Sequence, residues 1–245
     1  MCITRAALTV HHHRVCARYA HSLGTPESKI FRVHQAIDSP MFAAPPHNGP
    51  ESTLHLLFVG SPEPRKGLEP FLHRLAHRAA AHPEHSIELR VAGTAVGDLE
   101  AAPPELPSNF QVDWLGNVPY EQMPGLYADA DLLVFPTLAD EWGLVANEAM
   151  SAGLPVLGSV YSQAVVELVV DGRTGWTFRP DDDDECRAAL DRVLATPREA
   201  LRAMGDAGRQ RIVDFGIEAV GERMLAAITF ALQGPTPAAR APDDS

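Results

Sequence analysis

TLADEWGLVANEAMSAGLPVLGS, residues 137–159, carries the strongest structural signals in this chain. The apolar run Asp131-Leu132-Leu133-Val134-Phe135 precedes it and reads as a buried strand, ended by Pro136. After the acidic turn Asp140-Glu141, a helical pattern starts near Gly143 and stops at Gly153, with Pro155 just beyond. Pro155-Val156-Leu157-Gly158 opens the next strand. Strand, acidic turn, helix and strand make a βαβ unit. In a parallel sheet its turn lies at the carboxyl edge, where ligands bind.

The helix in this unit is strongly apolar. From Leu144 to Ala152 only Asn147, Glu148 and Ser151 are polar, and at helical spacing they share an arc of roughly 100°. Leu144, Val145, Ala146, Ala149, Met150 and Ala152 are expected to bury most of the remaining surface. A carboxylate on such a helix faces a polar cleft or is paired. The alternative is an exposed rim position.

Residues 1–24 read as a helix ending at Gly24, and Ser28–His34 as a strand. The Pro-rich run 39–52 reads as a linker. Leu54–Val59 is a buried strand, residues 60–67 a loop, and Leu68 to about His82 a helix. Strands follow at Ile87–Gly93 and Phe110–Gly116, and a helix from Tyr120 to about Ala128. Asp181–Glu185 reads as the acid-rich start of a helix rather than a calcium site. Helices at 198–214 and 218–232 finish the chain, and 235–245 reads as a disordered tail.

The basic pair Arg65-Lys66, flanked by Gly60 and Gly67 between a strand and a helix, has the character of a phosphate site. It is not a Walker A loop. No Gly-x-Gly-x-x-Gly follows any expected strand, which argues against a Rossmann oxidoreductase.

The chain of 245 residues is 45% apolar and 21% charged, ordinary for a soluble globular protein. Its net charge of −12 argues against nucleic acid or an anionic membrane as main partner, while leaving room for a local basic pocket. Cys2, Cys16 and Cys186 lack metal-ligand spacing, which points to the reducing cytoplasm. His11-His12-His13 interrupts the amino-terminal apolar stretch, leaving no secretory core, and reads as an incidental polar run rather than a metal site or tag. No apolar run approaches the ~20 residues of a membrane span.

Residues 140–156, DEWGLVANEAMSAGLPV, resemble the donor-site signature of the family-four (group 1) glycosyltransferases, retaining enzymes of the GT-B fold. That signature has an acid, two intervening positions, Gly, and a Glu eight residues after the acid. Asp140 and Glu148 fit, with Asp140 standing where the family usually has Glu. The implied fold is α/β, a Rossmann-like parallel sheet flanked by helices, forming one half of a GT-B molecule. Residues 1–38 would be a remnant of the amino-terminal domain, 39–52 the linker, 53–232 the nucleotide-sugar-binding domain and 233–245 a tail.

The resemblance also implies roles. Lys66 matches the lysine that grips the donor diphosphate; Ser61 stands at the position of a second family cation, with Arg65 as a candidate substitute. Gly143, Leu144 and Val145 would offer helix amides to the diphosphate. Glu148 would hold the ribose hydroxyls, and Asp140 the donor sugar's hydroxyls. The loop 116–119, with Val118, would lie beside the base. Lys66 and Asp140 would be the catalytic pair.

No metal or separate cofactor is implied, only a nucleotide-diphosphate sugar as donor. Asp129-Ala130-Asp131 resembles the metal-binding Asp-x-Asp of the GT-A fold, but it precedes a strand instead of following one. Where the family has a glycine-rich turn, this chain has Tyr161-Ser162-Gln163. The implied activity is hexosyl transfer with retention to an acceptor not specified by the sequence. Expected partners are the nucleotide sugar, a separate amino-terminal half, and peripheral membrane contact. A non-catalytic nucleotide-sugar-binding module is the alternative. Both readings require Lys66, Asp140 and Glu148 to border one crevice.

Overall fold

The computed structural model describes residues 8–10, 15–43 and 52–233. Cys2, the His11–His13 run, most of the expected linker and the expected tail lie outside them. Compactness divides the chain into two units, Ile37–Val213 and a second made of Met1–Ala36 with Asp214–Ser245.

In chain order the elements are β1 Leu8–Val10, α1 Val15–Ser22, β2 Ile30–Arg32, α2 Ser39–Phe42, β3 Thr53–Val59, α3 Leu68–Ala81, β4 Ser86–Ala92 and β5 Phe110–Gly116. There follow α4 Met123–Ala128, β6 Leu132–Phe135, α5 Leu144–Ala152, β7 Val156–Ser159, α6 Gln163–Leu168 and β8 Gly175–Phe178. α7 Asp183–Leu194, α8 Arg198–Ile212 and α9 Ile217–Gln233 complete the described chain.

The larger unit is a six-stranded, all-parallel sheet in the order β5-β4-β3-β6-β7-β8. Each strand connection is a crossover, mostly through helices that cover the faces. The central strands therefore read as continuous apolar runs, and all four residues of β6 are buried. α3 shows the complementary pattern, burying Leu68, Phe71, Leu72, Leu75, Ala76 and Ala79 at a helical repeat. These residues join Leu56, Phe58, Leu89, Leu132 and Phe178 in one core.

Strand order fixes where a ligand goes. From β3 the chain winds outward through β4 and β5, then returns to the other side of β3 as β6. The loops after β3 and β6 thus leave adjacent strands in opposite senses and open a crevice at the carboxyl edge. Lys66 lies in the first loop and Asp140 in the second.

Two acidic motifs are structural. Asp182 caps α7, accepting from the amides of Asp184 and Glu185 at 3.0 Å. Asp131 lies at the start of β6, the opposite edge, where it accepts from the His55 amide at 2.9 Å and from Arg198 at 2.7 Å.

Three expectations need correction. Leu8–Val10 is a strand, pairing in parallel with β2, rather than part of one helix over 1–24. Its β-branched and aliphatic residues gain a ladder partner 22 residues away, as in Leu8 opposite Ile30, that no local pattern discloses. The expected linker begins with α2, whose Phe42 is fully buried with its ring 5.6 Å from that of Tyr127. α9, expected to complete the sheet domain, groups with the amino-terminal segment: it packs on β1 and β2, and Phe230 lies 5.3 Å from Phe31 between ring centroids.

Candidate functional site

The loop after β3 is stitched to the loop after β6. The Arg65 carbonyl accepts from the Leu138 amide at 2.7 Å and from Thr137 Oγ1 at 3.0 Å. Gly67 sits at φ +70, and a Cβ there would lie 2.1 Å from the Pro136 carbonyl oxygen. Only glycine lets the two loops approach this closely.

That approach brings Lys66 to Asp140. Lys66 Nζ donates to Asp140 Oδ2 at 2.8 Å, with the two side chains 17% and 14% exposed. The other carboxylate oxygen of Asp140 accepts from the Trp142 amide at 3.3 Å. The acidic turn is itself clamped. The Asp140 amide donates to the Tyr161 carbonyl, and the Trp142 carbonyl accepts from Ser162 Oγ at 2.5 Å and the Ala164 amide at 2.9 Å.

Gly143 opens α5 at φ +100, where a Cβ would lie 2.6 Å from the Phe135 ring. No side chain caps this helix. Its first amides therefore face the carboxyl edge with the positive end of the helix dipole behind them, an arrangement suited to an anion. Leu144 is exposed and Val145 half-buried, which corrects the expectation that both are core residues. The reason is their place in the first turn, at the rim of the crevice.

Deeper along α5, Glu148 is 7% exposed and accepts from the Tyr127 hydroxyl of α4 at 2.6 Å. Burial pushes its carboxyl above the usual range, and the Tyr127 hydrogen bond opposes that shift. Burial, then the Glu148 charge, raises the Tyr127 phenol well above its ordinary value. The Glu148 charge also reaches Tyr120, which opens the turn into α4 directly after the loop holding Val118. Val118 itself is half-buried beyond β5, two strands or about 10 Å from β3.

Asn147 is engaged by the acidic turn. Its Oδ1 accepts from the Trp142 indole nitrogen at 2.9 Å, and both residues are buried. Ser61 and Arg65 both engage Glu63. Ser61 donates to Glu63 at 3.2 Å, and Arg65 donates to the same carboxylate at 2.5 Å and to the Ala139 carbonyl at 3.4 Å. The Arg65 hydrogen bond and charge hold the Glu63 carboxyl below its usual range. Glu63, Tyr120, Tyr127 and Trp142 are thus contributors that the sequence reading passed over. A phenol and an indole among small apolar residues were the available signal. A hollow lined by Tyr127, Ala128, Asp131, Ala152, Pro155 and Leu201 opens toward the opposite edge.

The family model for glycosyl transferases group 1 matches residues 43–211, nearly the whole of the larger unit. The chain belongs to the group 1 glycosyl transferases. It is 30% identical over 206 residues to an MMP alpha-(1->4)-mannosyltransferase of Mycolicibacterium hassiacum, covering 82% of this chain and 48% of that protein. It is 32% identical over 183 residues to a D-inositol 3-phosphate glycosyltransferase of Segniliparus rotundus, covering 72% of this chain and 40% of that one. This chain therefore spans about half the length of these relatives, or less. The sucrose-phosphate synthase of Thermosynechococcus elongatus has the same fold, with a TM-score of 0.69 at 23% identity over 89% of this chain and 57% of that one.

Membership places the sheet as one Rossmann-like half of a GT-B molecule. Enzymes of this family draw on a nucleotide-diphosphate sugar and are typically metal-independent. Among the described residues, no helix is long and apolar enough to cross a membrane.

Proposed function

We propose that this chain is the donor-binding half of a retaining glycosyltransferase, which moves a hexosyl group from a nucleotide-diphosphate sugar to an acceptor. The observation that carries this reading is the 2.8 Å pair of Lys66 and Asp140 beside the uncapped amino end of α5. When the sugar leaves, negative charge grows on the departing diphosphate. Lys66 and the amides of Leu144 and Val145 meet that charge without a metal ion. Asp140 takes donor-sugar hydroxyls once the diphosphate draws Lys66 away. Glu148, oriented by Tyr127, takes the ribose hydroxyls, and the loop at Val118 borders the base. In this reading Ser61 and Arg65 act through Glu63, shaping the loop that carries Lys66.

Acceptor binding then falls to a separate amino-terminal half, which agrees with the share of each relative that this chain spans. The free thiols Cys16 and Cys186 favour the reducing cytoplasm, and peripheral membrane contact would serve a lipid-borne acceptor. A non-catalytic nucleotide-sugar-binding module is the second reading, favoured by the engagement of Ser61 with Glu63 where the family places a cation.

Calorimetry with UDP, GDP and ADP on the chain and on Lys66→Ala tests donor binding, which both readings require. Binding that Lys66→Ala abolishes supports it; no binding of any nucleoside diphosphate refutes it. Sugar release from the bound donor, when an amino-terminal half is added, separates the enzyme from the module.

A further inference from the structure

The carboxyl end of α3 carries a second group of chemically capable side chains. Residues 82–85 read His-Pro-Glu-His and form the turn into β4. α3 runs back across the sheet, so this turn lies at the edge where the strands begin, opposite Lys66. His82 Nδ1 stands 3.0 Å from Glu84 Oε1, and His85 Nε2 stands 3.6 Å from the same oxygen. One ligand atom from each of the three residues lies within 4.8 Å of the other two. A tetrahedral zinc ion with bonds of about 2.0–2.2 Å holds its ligands roughly 3.3–3.5 Å apart. Two of the three edges bracket that spacing.

The backbone beneath is already fixed. Asn109 Nδ2 donates to the carbonyls of Ala79, His82 and His85 at 3.0, 3.1 and 2.8 Å. Small side-chain rotations would therefore suffice to close the group on an ion.

The surroundings suit a histidine ligand too. Arg78 donates to His82 Nε2 at 2.6 Å, which places the ring proton on Nδ1, toward Glu84. Asp191 of α7 pairs with Arg78 and lies 3.7 Å from His82 Nε2. An ion on Nδ1 would shift the ring proton to Nε2, displacing Arg78 from that nitrogen and turning the proton to Asp191, 3.7 Å away. Such a carboxylate behind a ligating imidazole orients the ring and makes it a better ligand.

We propose that His82 Nδ1, Glu84 and His85 Nε2 bind a divalent transition-metal cation of the zinc class, with water completing the coordination. Two imidazoles and one carboxylate select such an ion over magnesium or calcium, which take oxygen ligands. The ion takes no part in sugar transfer. It fastens the α3–β4 turn and, through Asp191, α7.

Zinc chloride is titrated into the full chain by calorimetry, and cobalt(II) is added in parallel for its absorption spectrum. The variants are His82→Gln with His85→Gln, Glu84→Gln, His73→Gln with His77→Gln, and glutamine at all of His11, His12 and His13. Wild type should bind one tight equivalent and give tetrahedral cobalt bands. Losing both ligating histidines should weaken binding by more than about 100-fold, beyond the loss usual for a supporting residue alone. The His73/His77 and His11–His13 variants should keep the equivalent. Glu84 is exposed, so Glu84→Gln decides the matter should the double variant not fold, with at least about tenfold weaker binding expected. The assignment is overturned if zinc binds as tightly to the double variant or to Glu84→Gln, if the equivalent disappears with His11–His13, or if the cobalt bands are octahedral.

Discussion

Lys66 and Asp140, seventy-four residues apart in sequence, meet at 2.8 Å across the switch point of the sheet. A diphosphate entering this crevice competes with Asp140 for the lysine. Asp140→Asn removes the competitor and keeps a carbonyl for the Trp142 amide. Calorimetry should then show a nucleoside diphosphate without sugar binding at least as tightly as to wild type. Weaker binding would mean that Asp140 supports the diphosphate rather than restraining Lys66. Once transfer can be assayed, Lys66→Ala should lower turnover by about 10²–10³, the usual effect of losing one charge-stabilising donor.

Tyr127 holds the carboxylate assigned to the ribose. Tyr127→Phe removes a hydrogen bond to a charged group, worth about 1.5 kcal/mol, so nucleoside diphosphate affinity should fall roughly tenfold. Inorganic diphosphate has no ribose, and its affinity should not change. Equal losses for both ligands would contradict the assignment.

Glu148 also predicts a pH dependence. Burial raises its folded-state pKa above the usual 4.5. Above that value the native state holds more of this proton than the unfolded chain does. Glu148 therefore subtracts from stability as pH rises through the window between the unfolded and folded values. Glu148→Gln removes the effect and still accepts from Tyr127. Urea unfolding should show the variant gaining on wild type from pH 4.5 to 7, although its nucleotide affinity is lost. A stability difference that is flat with pH would refute this.

Asp131 is a structural counter-charge for Arg198, with both side chains at most 10% exposed. Asp131→Ala removes the counter-charge of a buried guanidinium and should cost about 3 kcal/mol in urea unfolding. Nucleoside diphosphate affinity should be unchanged in the folded variant, and EDTA should not alter it in wild type. Loss of affinity on adding EDTA would restore a metal role near the donor.

The central βαβ unit was legible because its signals are local: the apolar run 132–135, glycines at both ends of α5 and Pro155 all act within a few residues. The nearness of Lys66 to Asp140 followed from the resemblance, whereas its cause, the strand order around β3 and β6, is a long-range property. Features set by distant packing were not legible. Leu8–Val10 is too short to declare itself a strand without β2, and Phe42 is hidden in a proline-rich run until Tyr120 and Tyr127 surround it. Helical spacing put Asn147 and Glu148 on one arc, yet Trp142 takes the first and Tyr127 the second. Periodicity gives a direction, not a partner.

The most direct test is a crystal structure of this chain with UDP or GDP bound. Phosphate oxygens are expected within hydrogen-bonding distance of Lys66 Nζ and the Leu144 amide, ribose hydroxyls on Glu148, and the base beside Val118. A diphosphate bound elsewhere, with the Lys66–Asp140 pair undisturbed, would contradict this.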